Sequence, residues 1–68
     1  MSEHMMKVIE VLADSTTSWE DAAQQAVEKA SKSVHGIQSI YIKEFEAKVD
    51  DNRIVRYRIN AKTTLAID

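Results

Sequence analysis

The side chains best placed to do chemistry lie towards the C-terminal end. Arg56, Arg58 and Lys62 occupy even positions in a segment whose odd positions, Val55, Tyr57, Ile59, Ala61, Thr63, Leu65 and Ile67, are apolar or β-branched. Such alternation sets the three cations on one face of a strand. Guanidinium forks in a row suit phosphate oxygens, so an anion site is one reading. Glu44 and Glu46 stand on a segment able to pair with this one, and cross-strand ion pairs are the stronger reading. Tyr57 has the opposite parity, so no aromatic interleaves with the cations. A base-stacking nucleic-acid platform is therefore not predicted.

The remaining candidates are weaker. Asp50-Asp51-Asn52 groups oxygens that suit a hard cation such as calcium, but the twelve-residue EF-hand loop is absent and a turn is favoured. Ser15, Thr16, Thr17 and Ser18 have no base in reach of the kind a nucleophile needs, and read as turn and cap residues. His35 falls near the end of a helical stretch, where an imidazolium suits the helix dipole. The two histidines, His4 and His35, do not form a metal-ligand spacing. With one glycine in the chain, no phosphate-cradling loop is available. Trp19 reads as a core or interface anchor. No acid-base or nucleophile set is readable, so the expectation is a protein that is not an enzyme.

These residues must be positioned by very little chain. Sixty-eight residues, 44% of them hydrophobic, allow a single domain. A domain this small buries only ~60% of its unfolded surface and usually needs a disulfide, a metal or self-association. There is no cysteine, hence no disulfide framework and no thiolate site. The net charge of −2 gives no bias towards nucleic acid or anionic lipid. No apolar run reaches membrane-span length and no signal-peptide pattern appears. The expectations are a cytoplasmic protein with no nucleic-acid or membrane partner.

Four elements are predicted. Residues 7–13 are rich in β-branched types and read as a strand, with residues 1–6 as a flexible tail and 7–68 as the domain. The strand is nearly apolar on both faces, which predicts burial on both. Thr17-Ser18-Trp19-Glu20 fits a capping box, with Thr17 as the cap. Trp19, Ala22, Ala23, Ala26, Val27, Ala30 and Val34 then form one helical stripe. Glu28 and Lys32 fit an i, i+4 ion pair. Gly36 is placed to stop the helix. Residues 37–49 read as a second strand whose alternation breaks, which predicts a bulge near Lys43. A three-residue turn at Asp50-Asp51-Asn52 leads into the long last strand, 53–67. That loop length sets Phe45 against Tyr57, Glu46 against Arg56 and Glu44 against Arg58.

The fold class is thus α+β: β-α-β-β, with a three-stranded antiparallel sheet curled around one helix and the long strand in the middle. At ~3.3 Å per residue the last strand extends roughly 45–50 Å. The helix covers about half of that at ~1.5 Å per residue. The surplus predicts a homo-oligomer.

Lys7-Val8-Ile9-Glu10-Val11, the helix start Thr17-Ser18-Trp19-Glu20-Asp21-Ala22-Ala23 and the long final strand together resemble the dodecin family. The resemblance implies a hollow dodecamer of tetrahedral symmetry that binds or stores a small molecule or ion. Many dodecins bind flavins, as pairs in interfacial pockets, so flavin storage is the alternative. Flavin-binding members look to have a tryptophan early in the second strand and a glutamine after an aromatic in the third. The matching positions here are Ser39, and Arg58 after Tyr57. The pocket positions the resemblance implies are Ser39, Glu44, Tyr57 and Arg58. The helix start and the missing tryptophan are more similar to the subgroup called calcium dodecin. Calcium and flavin are thus the ligands to weigh, and no metal ligands are assigned.

Overall fold

A computed structural model of the chain describes residues 5–67. The elements run β1 (Met5–Ser15), α1 (Trp19–Ser31), β2 (Ile37–Asp50) and β3 (Arg53–Ile67). They form an antiparallel sheet in the order β1-β3-β2. The predicted element order and the central place of the long strand both hold.

All of β1, Met5–Ser15, is paired with β3. Met5 and Met6 lie opposite Ile67 and Ala66, so β1 starts two residues before the predicted strand. These two residues therefore belong to the sheet and not to a tail; residues 1–4 lie outside the described residues.

The helix is capped one residue later than predicted. Ser18, not Thr17, is the N-cap, and its Oγ accepts from the Asp21 amide at 2.9 Å. The cause is Ser15 at the end of β1. Its buried hydroxyl accepts from the Thr17 amide at 2.9 Å and donates to the Asp21 carboxylate at 2.6 Å. Thr17 is thereby held in the turn and Asp21 takes the acidic place in the first helical turn. That hydroxyl, aided by the Gln25 amide, holds the Asp21 carboxyl below its usual range.

The helix stops at Ser31 with Lys32 as C-cap, short of Val34, His35 and Gly36. His35 is therefore not a helix-end cap. The predicted Glu28–Lys32 pair does not form, and Glu28 accepts from Gln24 Nε2 at 3.1 Å. Gly36 does adopt a left-handed backbone, φ +77°, but for another reason. Its carbonyl accepts from the Ala66 amide, and a Cβ there would lie 3.3 Å from the Ala66 carbonyl oxygen.

The hairpin also differs from expectation. Asp50 pairs with Arg53, and the turn has two residues, Asp51 (φ 52°) and Asn52 (φ 62°). Two left-handed residues in a two-residue loop give the I′ form that matches strand twist. Asp51 can take that conformation as Asn52 does, since both are short polar side chains. A register break at Lys48/Val49 then moves the ladder on. Glu46 faces Arg58, Phe45 faces Ile59 and Glu44 faces Asn60. The two changes together displace the pairings of residues 44–48 by two, so those side chains keep their predicted faces, while nearer the tip Val49 faces Ile54, a shift of one. A further break between Ile42 and Glu44 leaves Lys43 unpaired, where the bulge is predicted.

The core is small. Ala22, Ile59 and Ala61 are fully buried, with Val11, Ala13, Trp19, Ala23, Ile40 and Ile42 packed around them. Alanines on the helix allow its close approach to the sheet. The opposite face of the sheet is uncovered. There Val8 is half exposed and Leu12 is 74% exposed, so the burial of β1 predicted on both faces occurs on one.

Candidate functional site

Charged side chains cluster on the uncovered face, near the end of β1. Asp14 lies opposite Arg58 in the β1–β3 ladder, and Glu46 lies opposite Arg58 in the β2–β3 ladder. Arg58 accordingly bridges two carboxylates, Glu46 at 3.4 Å and Asp14 at 3.8 Å. Asp14 also accepts from Arg56 at 3.1 Å. Two of the three predicted cations of β3, Arg56 and Arg58, are thus engaged by carboxylates of the neighbouring strands, in line with the ion-pair reading, while Lys62 forms no ion pair with a described residue. All of these groups are at least one third exposed, so each pair contributes ~0–1 kcal/mol and mainly fixes side-chain position.

Next to this network is a recess of about 250 Å³ lined by Leu12, Glu44, Glu46, Arg58 and Asn60. Asn60 Nδ2 donates to Glu44 Oε1 at 3.2 Å. Asn60 Oδ1 is shut off from solvent and has no partner among the described residues. An acceptor left in that state costs about 1–3 kcal/mol, so the recess lacks a hydrogen-bond donor.

The four predicted pocket positions do not converge within one chain. Glu44 and Arg58 line the same recess, although Glu44 binds Asn60 and not Arg58. Ser39 pairs with Thr64, near the far end of the sheet. Tyr57 is on the helix side, its ring 4.9 Å from that of Trp19 in an edge-on arrangement. Trp19 also packs edge-on against Phe45 at 5.8 Å, and its Nε1 donates to the Glu46 carbonyl at 3.1 Å. Asp14, Leu12 and Asn60 were not singled out from sequence. Their parity with Arg58 was readable, but the β1–β3 register that brings them beside it was not.

Residues 5–68 match the family model described as Dodecin. The chain belongs to the dodecin family. A curated relative, the calcium dodecin of Mycobacterium tuberculosis, is 38% identical over 58 residues, covering 85% of this chain and 82% of that protein. A crystal structure of the calcium dodecin of the same organism, described as calcium chelating, superposes with a TM-score of 0.81 at 34% identity, covering 94% and 91% of the two chains. The dodecin from Streptomyces coelicolor superposes more closely in backbone, with a TM-score of 0.92 at 20% identity over 100% and 97% of the chains. The last likeness concerns the fold alone.

The family's two ligand classes find different fits in these residues. At Ser39 no ring is available to stack on a flavin. At Arg58 the guanidinium is held by Asp14 and Glu46, and the Tyr57 ring is on the other face. Within one chain these positions do not come together as a pocket of the tryptophan-and-glutamine type. Calcium takes six to eight oxygens, and the described residues contain no group of three or more His, Cys, Asp or Glu side chains spaced to hold a metal. No helix among the described residues is long and apolar enough to cross a membrane.

Proposed function

We propose that this dodecin assembles into a closed homo-oligomer, a hollow dodecamer, that binds or stores a small ligand or ion and catalyses no reaction. One observation carries the reading: the uncovered sheet face is both apolar and chemically organised. Leu12 and Tyr41 stand 74% and 67% exposed there, beside a recess whose buried Asn60 oxygen has no donor. A face of that kind is incomplete as a solvent boundary. The recess, at about 250 Å³, is also below the ~300–1,000 Å³ usual for small-molecule sites. Neighbouring copies would supply its remaining walls.

Calcium is the first ligand to test, because the calcium dodecin relative shares 38% of the aligned sequence. Glu10, Asp14, Glu44 and Glu46 lie on the uncovered face and supply hard oxygen donors once copies meet. Calorimetric titration of chelator-treated protein with calcium should give saturable binding. Substituting Glu44→Gln and Glu46→Gln together should weaken it at least tenfold. Riboflavin added in parallel should keep its fluorescence. Strong quenching by riboflavin, with no calcium heat, would replace this reading with flavin storage.

A further inference from the structure

The hairpin tip is an overhang. β1 ends at Ser15, opposite Tyr57, so residues 48–56 of β2 and β3 have no third strand beside them. A two-stranded ribbon is marginal in water by itself. This one carries Val49, Ile54 and Val55, which are 60%, 51% and 39% exposed. The ribbon needs an apolar surface to lie on, and its own helix starts too late in space to provide one.

The same molecule has an unfilled apolar groove of about 530 Å³ between α1 and β2, lined by Trp19, Ala23, Val27, Ile40, Ile42 and Phe45. It exists because the helix packs more closely on β1 and β3 than on β2. Phe45 is 61% exposed at its floor. The charges at the two places are complementary. Glu20 stands at the groove, and Gln24 beside it is bonded to Glu28, which gives the rim an acidic row. The tip carries Lys48 and Arg53, which form no ion pair with any described residue.

We infer that the groove over β2 is the seat for the hairpin tip of a second copy, with the cross-strand pair Val49 and Ile54 against Trp19, Val27 and Phe45. This rests on the proposed assembly and specifies which surfaces meet. Tip and groove are different patches, so the contact is heterologous: each copy gives a tip and receives one. Such a contact closes into a ring when its rotation permits and is not a two-fold pairing of like with like. Lys48 and Arg53 meet the acidic rim and fix the direction of insertion.

Complementation tests the pairing. Val27→Glu blocks the groove and leaves the tip intact; Ile54→Glu spoils the tip and leaves the groove intact. Each variant alone should have a lower solution mass than the parent protein by light scattering. An equal mixture should regain mass, up to about twofold, because the intact tip of one variant fits the intact groove of the other and each mixed pair can form one such contact. Either variant alone keeping the parent mass, or a mixture that gains nothing, overturns the pairing while leaving assembly in place. A monomeric parent protein overturns the assembly itself. Where circular dichroism shows a variant to be unfolded, the parent background decides. The chain has no cysteine, so Val27→Cys and Ile54→Cys chains, assembled together and treated with a short bismaleimide, should give a 27–54 cross-link between copies. Assembled protein without that cross-link contradicts the seat.

Discussion

β3 divides into two regions of similar composition and opposite circumstance. From Ile59 to Leu65 its helix-side residues are sealed under α1, with Ile59, Ala61 and Thr63 fully buried. From Arg53 to Arg56 the same strand runs on as half of a bare ribbon, and Ile54 is 51% exposed. The difference is a matter of length. Thirteen helical residues at ~1.5 Å each cannot roof fifteen strand residues at ~3.3 Å each. One end of the strand therefore belongs to the protomer's own core. The other end has no cover from its own helix.

The largest predicted effect separates those two ends. Ile59→Ala should lower stability in urea by ~2–5 kcal/mol, the usual cost of emptying a packed site, at every protein concentration. Ile54→Ala should act through assembly, so its effect on the urea midpoint should vary with protein concentration. Equal, concentration-independent losses at both positions would erase the contrast. Next in size is Gly36→Ala, which forces a Cβ to within 3.3 Å of the Ala66 carbonyl in a left-handed backbone. Thermal unfolding should show a loss of about 1–2 kcal/mol.

Ser18→Ala removes the helix cap and should cost ~1 kcal/mol by the same assay. The neighbouring Asp21 carboxyl adds a pH signature. Its folded pKa lies below the ordinary 3.8 through its bond to Ser15. Its contribution to stability is then complete above that value and is lost as pH falls through the folded pKa. Ser15→Ala should flatten the acid end of the stability profile. The smallest effect is expected at the uncovered face: Arg58→Gln should change stability by less than about 1 kcal/mol, since its partners are exposed. A larger loss in the assembled protein would mean that neighbours bury the Asp14–Arg58–Glu46 network.

Most of the fold could be read from residues alone. Alternation from Val55 to Ile67 defines the long strand, and the parity switch between Ile42 and Phe45 locates the bulge at Lys43. What escaped detection shares one cause: a short-range pattern does not contain a long-range partner. The Thr17-x-x-Glu20 box is a valid local signal, but Ser15 on β1 moves the cap to Ser18. Gly36 looks like a helix stop, but its conformation answers to Ala66. The hairpin register missed by two because Asp50 left the turn to pair with Arg53 and a break followed at Lys48/Val49. The parity survived, so Glu44, Glu46 and Arg58 were placed on the right face with the wrong partners. The candidate site was less legible, since Asp14 reaches Arg58 only through β1–β3 pairing, and Ser39 and Tyr57 lie away from Arg58 within one chain.

The central claim is that a single copy of this chain leaves its sheet uncovered and its hairpin unsupported, and that other copies complete both. Multi-angle light scattering on the freshly purified protein tests it most directly. The account predicts one species at twelve times the 7.7 kDa chain mass, about 92 kDa. A stable folded species at the mass of one chain would contradict it.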